Sequence, residues 1–266
     1  MLLLTSIITI LFIAILAIHT FLVRTNTYNM NCSARTGNVK IIQISDIHGR
    51  THFINGTLSR LVNNLKPNVV CITGDLASNR KQLPKVLSEI KRIQCKYIFF
   101  IPGNYEREEL TFINKHLLNE LDYENLKKQL KEIGVFFLEN QSQTLEFNGS
   151  YYYFYGFDNS IYGNEKLPID DSNIEKADKK IFLAHSPNIV HLLRKQKMNY
   201  NLLMTGHTHG GQVRLFNKTI GAYKHFHIGV LKEKEEQFFA INRGLGTVKI
   251  PVRINCPPEI SVYIFD

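Results

Sequence analysis

Five apolar runs in this chain are followed within three residues by aspartate, asparagine or histidine, side chains that are costly to bury without a partner. The seven polar residues at these ends are Asp46, His48, Asp75, Asn104, His185, His207 and His209. Two of the runs are followed by two such residues at positions i and i+2, namely Asp46 with His48 and His207 with His209. Residues at that spacing share one face of an extended backbone. Taken one at a time, the polar residue after each run could be an ordinary turn residue or surface residue. The five together predict one common site, because open α/β sheets bind ligands at the carboxyl edge of their strands.

The donor atoms of these residues are imidazole nitrogens, carboxylate oxygens and one amide oxygen. Such a mixed set without thiolates suits Mn, Fe or Zn, and it fits neither a calcium cage nor a structural zinc site. The four cysteines show no CxxC spacing, which argues against a zinc knuckle. The sequence therefore predicts a site for metal ions of this group.

The segments that must position these residues alternate between strand and helix patterns. Residues 39–45, 69–73 and 97–101 are apolar runs of strand type, and helical patterns near 58–65 and 83–93 separate them. This alternation predicts an α/β protein with βαβ crossovers and a buried sheet. The later predicted elements are one or two amphipathic helices over 108–133, a helix beginning near Pro187, and strands at 135–138, 144–147, 151–156, 180–184, 202–205, 212–216, 238–242 and 260–265.

With 266 residues, 44% of them hydrophobic, the chain is long enough to bury one large core, which excludes a disordered chain and a disulfide-stapled miniprotein. The net charge is +9, and the excess lies in residues 24–100, with 12 basic and 3 acidic side chains. This placement suits an anionic partner such as lipid headgroups or a phosphate-bearing substrate, and a charge that only serves solubility explains it equally well. Nucleic acid is a weaker interpretation, because we find no RNA signature and no DNA-reading motif.

The first 23 residues are predicted to form a transmembrane anchor. Residues 2–23 carry no charge, and as a helix they would reach ~33 Å, enough to cross a bilayer's hydrocarbon core. A cleaved signal peptide is the alternative, but the charged n-region is missing and the apolar stretch is too long. Residues 24–38, rich in Thr, Asn and Ser, are predicted to be a linker that lets a domain of residues 39–266 stand off the membrane. Positive charge after the span favours the cytoplasmic face for that domain.

The motifs resemble those of the calcineurin-like metallophosphoesterases. Asp-x-His, Gly-Asp, Gly-Asn-x-Glu, a lone His and Gly-His-x-His occur here in that order, and the resemblance covers about residues 39–266. The sequences Gly-His-Thr-His-Gly-Gly-Gln at 206–212, Asn-Arg-Gly-Leu-Gly at 242–246 and Pro-Pro-Glu-Ile at 257–260 are similar to the YkuE/YaeI-like phosphodiesterase group.

The resemblance implies a four-layer αββα sandwich and two divalent metal ions, Mn, Fe or Zn. It assigns Asp46, His48 and His209 to one metal, Asn104, His185 and His207 to the other, and Asp75 to both. It also implies that a hydroxide bridging the metals attacks phosphorus in line. Members of the family usually have histidine after the metal-binding Asn, whereas this chain has Tyr105. As a hypothesis, Tyr105 protonates the leaving group, less effectively than imidazole near neutral pH.

The function predicted on this basis is a membrane-anchored dimetal phosphohydrolase that cleaves phosphodiester or pyrophosphate bonds, with a lipid-linked ester as one candidate substrate. The alternatives are a nucleotide phosphodiesterase or nuclease, and a non-catalytic scaffold that uses the same fold. Scaffolds of that kind tend to lose ligands, whereas all seven ligand positions are filled here. Family relatives are often exported, which favours a single-pass cell-membrane protein with its domain on the extracytoplasmic side, against the charge rule.

Overall fold

The computed structural model describes residues 2–30, 39–111, 114–158, 160–169, 171–215, 218–219 and 223–265. The strands of its two six-stranded sheets are β1 Arg24–Asn29, β2 Val39–Ile44, β3 Val69–Thr73, β4 Tyr97–Ile101, β5 Phe136–Phe137, β6 Gln141–Phe147, β7 Ser150–Gly156, β8 Lys179–Leu183, β9 Leu202–Thr205, β10 Gly229–Lys234, β11 Gln237–Ile241 and β12 Glu259–Phe265. The α-helices are α1 Leu2–Phe21, α2 Leu58–Asn63, α3 Leu83–Lys91, α4 Glu120–Glu132, α5 Asn173–Lys176 and α6 Ile189–Lys195.

Short elements connect these strands and helices. Three small hairpins pair His52–Phe53 with Gly56–Thr57, Glu108–Thr111 with Asn114–Leu117, and Arg214–Leu215 with Lys218–Thr219. Single 3₁₀ turns lie at Arg80–Gln82, Ser160–Tyr162 and His209–Gly211.

Both sheets have a parallel centre, as the alternating pattern predicts. The first has the order β1-β12-β2-β3-β4-β5, in which β2 to β5 are parallel and β12 is antiparallel to β2. The second has the order β6-β7-β8-β9-β11-β10, with β7, β8, β9 and β11 parallel. The carboxyl ends of β2, β3 and β4 therefore share one edge, and those of β8 and β9 share the corresponding edge of the second sheet.

Alternate residues of one strand pack into different layers of the core. Ile42 of β2 packs with residues of α2, α3 and α4, whereas its neighbour Ile41 lies in the apolar cluster between the two sheets. On the outer face of the second sheet, Phe182 packs with Leu193 of α6. Each fully buried side chain of this size stabilises the fold by ~1.5–3 kcal/mol. The layers are helix, sheet, sheet and helix, which confirms the predicted αββα sandwich.

The predicted helices over 108–133 are only partly correct. Residues Glu108–Thr111 and Asn114–Leu117 form a hairpin, and the helix begins at Glu120, where the Asn119 side chain accepts a hydrogen bond from the Asp122 backbone N–H. The amphipathic pattern could not exclude a hairpin, because a tertiary contact decides between helix and hairpin in this segment. The Leu110 backbone N–H donates to the Ser78 carbonyl at 2.8 Å. The predicted strand at 212–216 shortens to Arg214–Leu215, and Phe216 lies outside the described residues.

The predicted linker is wrong for residues 24–29, which form β1. This strand pairs in parallel with β12, from Arg24 opposite Glu259 to Asn29 opposite Ile264. The Tyr28 ring stacks on Tyr263 with ring centroids 5.7 Å apart, a contact that no local pattern encodes. The domain therefore starts earlier than residue 39, while residues 31–38 of the predicted linker lie outside the described part of the chain.

Helix α1 is long and apolar enough to cross a membrane by its length and composition. Residues 3–15 are exposed, and the helix becomes partly buried only from Leu16 onward. Its carboxyl end contacts the domain directly, as described below.

Candidate metal centre

The structure brings the seven polar strand-end residues together. Five of them have a positive φ, which is uncommon outside glycine and costs of the order of 1–3 kcal/mol for each residue. These five are Asp46, His48, Asp75, His207 and His209, with φ between 44° and 66°. Backbone hydrogen bonds hold the strained turns: Asp46 N–H donates to the Gly74 carbonyl and His48 N–H to the Asp75 carbonyl, both at 3.0 Å. The turns re-aim the side chains toward one another at the shared edge.

One group of donors consists of Asp46, His48 and His209. The Nε2 atom of His209 lies 3.4 Å from Oδ1 of Asp46 and 3.2 Å from Nε2 of His48. All three residues are buried, and their donor atoms lie within 4.8 Å of one another. The Asp46 carboxylate is also held by the Ser45 hydroxyl and by the His207 backbone N–H.

The second group consists of Asp75, His185 and His207, with Asn104 beside it. The Nε2 atom of His185 lies 3.0 Å from Nδ1 of His207, 3.2 Å from Oδ1 of Asn104 and 3.3 Å from Oδ2 of Asp75. The three titratable residues again have donor atoms within 4.8 Å of one another.

Asp75 connects the two groups through a single oxygen atom. Its Oδ2 lies 3.5 Å from Nε2 of His48 and 3.3 Å from Nε2 of His185. Its other oxygen, Oδ1, accepts a hydrogen bond from the Tyr105 backbone N–H at 2.9 Å, which fixes the orientation of the carboxylate. This is the position that a ligand shared by two cations must occupy.

The spacing of these donors fits two metal ions. Two ligands bound at ~2.1 Å to one tetrahedral cation lie ~3.4 Å apart, and the donor pairs within each group are separated by 3.0–3.4 Å. The imidazole, carboxylate and amide donors are those that Mn, Fe or Zn accept. The residues therefore fit two candidate cation sites that share Asp75.

Burial sets the protonation of most of these histidines. It lowers the pKa of His48 to about 4 and of His207 to about 3, so both rings are neutral at pH 7, the form that binds metals. Burial raises the pKa of Asp46 to about 6. Burial opposes charge on His185 too, but the Asp75 carboxylate outweighs it and raises the pKa of His185 to about 10. The Asp75 carboxylate thus favours the protonated form of His185.

The outer nitrogen of three of the rings has a partner that directs the other nitrogen into the site. His185 Nδ1–H donates to the Thr73 carbonyl at 2.8 Å, which leaves Nε2 facing Asp75. Ser78 Oγ lies 3.0 Å from Nδ1 of His48, and the Tyr223 hydroxyl lies 3.0 Å from Nε2 of His207. Partners of this kind fix the tautomer and orientation of a metal-binding imidazole. Ser78 and Tyr223 were not predicted from the sequence, because neither belongs to a motif or lies at a characteristic spacing from the donors.

Carboxylates support the remaining loops. Glu106 accepts hydrogen bonds from the backbone N–H groups of Asp75, Leu76 and Gly103, so it ties the loop after β3 to the loop after β4. Glu108 accepts from the Asn104 side-chain amide, which turns Oδ1 of Asn104 toward His185. The motif Gly-Asn-x-Glu contains Glu106, but the sequence assigned it no structural role.

Replacing Tyr223 with phenylalanine removes only the hydroxyl that faces His207. When Nδ1 of His207 is the ligand atom, Nε2–H donates to this hydroxyl, and losing such a partner usually costs ~10- to 100-fold in metal affinity. We expect a loss of Mn²⁺ affinity in that range, measured by competition with a chromophoric chelator. Tyr200→Phe is the control, because its hydroxyl bonds to Glu233 instead. Equal affinity in both variants would show that Tyr223 does not orient His207.

A cavity of about 520 Å³ opens over the donors. Its polar part includes Asn104, His207 and His209. Val213, Val248 and Ile250 form an apolar wall. The site thus combines a place for a charged group with a place for an apolar one.

The chain belongs to the calcineurin-like phosphoesterase family, whose model matches residues 39–211. It is similar to the uncharacterized Bacillus subtilis (strain 168) protein YpbG, with 27% identity over 241 residues, 90% of this chain and 85% of YpbG. The uncharacterized metallophosphoesterase YkuE of the same organism is 26% identical over 236 residues, 84% of this chain and 78% of YkuE. The predicted family resemblance is thereby confirmed, and the chain is a metal-dependent phosphoesterase.

Two further likenesses are to longer proteins. A Bos taurus protein named as a transmembrane protein with a metallophosphoesterase domain is 26% identical over 85% of this chain and 52% of its own length. Together with α1, such relatives suggest a membrane protein. The solved structure of Haemophilus influenzae NAD nucleotidase has a TM-score of 0.54 at 13% identity, over 80% of this chain and 46% of that one. The latter likeness shows the fold alone.

Proposed function

We propose that this protein is a membrane-anchored dimetal phosphohydrolase that cleaves phosphodiester or pyrophosphate bonds, with a lipid-linked phosphate ester as its substrate. The observation that carries the proposal is the position of Asp75, whose Oδ2 lies within 3.5 Å of an imidazole nitrogen of each donor group. A single carboxylate between two sets of donors serves paired cations, which phosphate ester hydrolysis uses.

Bound there, two divalent cations (Mn, Fe or Zn) would neutralise the phosphate charge and lower the pKa of the attacking water. The chain's own residues supply the rest. The seven donors would hold the two cations at the end of the cavity. Lys115 Nζ lies 5.2 Å from the centroid of the Tyr105 ring, pairs with Glu108 and lines the same cavity, so its ammonium is placed where phosphate oxygens would enter. The apolar wall of Val213, Val248 and Ile250 supports a lipid rather than a sugar or nucleotide on the other side of the ester.

Tyr105 is the proposed donor to the leaving group. It is 7% exposed, its ring packs edge-on against His48 at 4.8 Å, and it lines the cavity. Burial, reinforced by Asp75, raises the pKa of Tyr105 to about 12, so the phenol stays protonated across the neutral range. A donor with so high a pKa helps a leaving group modestly, and it helps most where the leaving group is poor.

Tyr105→Phe tests this role. We expect kcat/KM for an alkyl leaving group to fall at least ~10-fold more than kcat/KM for p-nitrophenolate, because general acid catalysis matters when the departing oxygen is basic. The two rates are measured with methyl p-nitrophenyl phosphate analogues that differ only in the leaving group. Full activity of Tyr105→Phe on the poorer leaving group would exclude Tyr105 as the acid.

We further propose that α1 is a single-pass anchor in the cell membrane and that the catalytic domain lies on the extracytoplasmic side. The length and apolarity of α1 support the anchor, and the proposed side rests only on the expectation that members of this family are often exported. Protease accessibility in intact cells tests the side, since an extracytoplasmic domain is cleaved without lysis.

The function itself is tested with the full chain in detergent, loaded with Mn²⁺ or Zn²⁺. The substrates are bis(p-nitrophenyl) phosphate, p-nitrophenyl phosphate, a cyclic dinucleotide, DNA and a lipid-linked pyrophosphate. We expect metal-dependent hydrolysis of the diester and of the lipid-linked compound to exceed that of the monoester. Preference for the dinucleotide or DNA would support a nucleotide phosphodiesterase instead. A metal-loaded chain that hydrolyses none of them would support a scaffold.

A further inference from the structure

The carboxyl end of α1 is held against the domain by direct hydrogen bonds, without an intervening linker. The Arg50 guanidinium donates to the Thr20 carbonyl at 2.9 Å, and the Arg253 backbone N–H donates to the Thr20 hydroxyl at 3.0 Å. The Ile54 backbone N–H donates to the Phe21 carbonyl at 2.9 Å. Thr20 itself is 1% exposed. The last turn of the helix therefore has a fixed position on two loops of the domain, residues 50–54 and 246–255.

The same two loops adjoin the metal centre. Arg50 follows His48 by two residues, and its other terminal nitrogen donates to the Thr247 hydroxyl at 2.9 Å. The Gly246 backbone N–H donates to the Asp46 carbonyl at 2.7 Å. Residues Val248, Lys249 and Ile250 of the second loop line the cavity over the donors. The helix end and the mouth of the cavity are consequently neighbours.

The length of α1 sets the depth of these loops relative to a bilayer. The exposed residues 3–15 reach only roughly 20 Å at 1.5 Å per residue, whereas a hydrocarbon core is ~30 Å thick. The helix spans the core only if its last, partly buried turn is also inside or at the edge of it. The loops that contact that turn must then lie in the headgroup layer.

The exposed side chains of this region suit that layer. Ile54 is 59% exposed and Ile250 is 54% exposed, although both are large and apolar. Lys249 and Arg24 are exposed beside them, and the Arg50 guanidinium covers the Phe21 ring at 4.7 Å. Apolar tips among basic side chains bind the interface of an anionic membrane.

We propose that Arg24, Ile54, Lys249 and Ile250 form a membrane-facing surface, that its occupant is the bilayer that holds α1, and that the metal cavity opens directly onto the lipid headgroups. This inference rests on the proposed membrane anchor. A phosphate ester on a lipid then reaches the donors while its acyl chains stay in the membrane. The apolar wall formed by Val248 and Ile250 continues the hydrocarbon environment toward the site.

The chain contains no tryptophan, so a single introduced tryptophan is an unambiguous probe of the surface. Ile54→Trp and Ile250→Trp are made in the full chain and placed in nanodiscs of phosphatidylcholine and phosphatidylglycerol, with and without brominated acyl chains. The control is Tyr151→Trp, at a side chain that is 46% exposed near the start of β7, away from the metal edge.

We expect brominated lipid to quench the two surface probes at least ~twofold, because an indole seated at the interface lies next to the labelled chains, and to leave Tyr151→Trp unchanged. Equal, unquenched emission from all three variants would overturn the proposal that this surface faces the membrane. Ile54→Trp, whose side chain does not line the cavity, is also assayed with bis(p-nitrophenyl) phosphate. Hydrolysis without quenching would refute the surface and leave the proposed function standing, whereas quenching without hydrolysis would support the surface and count against the function.

Discussion

Replacing Asp75 with asparagine is expected to lower kcat/KM for a phosphodiester by at least ~10³-fold, equivalent to ~4 kcal/mol of transition-state stabilisation. Asp75 is the only one of the seven donors whose oxygen lies within 3.5 Å of an imidazole of both groups. An amide keeps the size of the side chain but removes the charge that two neighbouring cations share. Steady-state kinetics with bis(p-nitrophenyl) phosphate measure the loss, and metal analysis of the purified variant shows whether occupancy falls with it.

The matched control is Asp178→Asn. Asp178 accepts a hydrogen bond from the Tyr151 backbone N–H and directly precedes β8, at the strand end opposite His185. Its replacement removes a carboxylate of the same size far from the donors, and we expect kcat/KM to stay near the wild-type value. Asp75→Asn with activity like that of Asp178→Asn would contradict a dimetal mechanism.

Replacing Gly206 with alanine is expected to lower kcat/KM by ~10²-fold, because misplacing a catalytic group by about 1 Å has an effect of this size. A Cβ atom at Gly206 would lie 2.5 Å from Oδ2 of Asp46 and would overlap the Ser45 hydroxyl. The Ser45 side chain or the Asp46 carboxylate that it holds must therefore shift. Metal titration should show one weakened site, and the diester assay should show the rate loss.

Gly134→Ala is the control for this change. The added Cβ meets no described atom within 4 Å, so only the positive φ of 81° opposes it, at a cost of ~1–2 kcal/mol in stability. We expect Gly134→Ala to keep its activity while its unfolding midpoint falls. If Gly206→Ala binds two metals and hydrolyses the diester normally, the close approach of residue 206 to Asp46 is not a requirement of the site.

Much of the metal centre was predictable because strand ends are visible in a sequence. An apolar run followed by Asp46 or His185 marks the carboxyl end of a buried strand, and the parallel connection of strands sends those ends to one edge. The fold class followed from the same alternation. The donor distances, however, depend on turns with positive φ at five of the seven residues. These residues are aspartate and histidine, and their types alone do not predict that conformation.

Other parts of the site could not be predicted, because the partners lie far apart in the chain. Tyr223 contacts His207 from 16 residues away in the chain, and Ser78 contacts His48 from the loop after another strand. The region 108–133 has an amphipathic pattern throughout, yet its first part became a hairpin against Ser78. Local periodicity cannot distinguish these outcomes, since the deciding hydrogen bonds are tertiary.

The sequence by itself determined which side chains are the candidate metal ligands, the strands that precede them, the family, and an apolar amino-terminal segment long enough to span a bilayer. Only the tertiary structure decided that residues 24–29 join the sheet and that the helix end is hydrogen-bonded to the loops beside the candidate metal ligands. The physical reason is distance along the chain: the Arg253 backbone meets Thr20 across 233 residues, and only the packed core brings two such segments together.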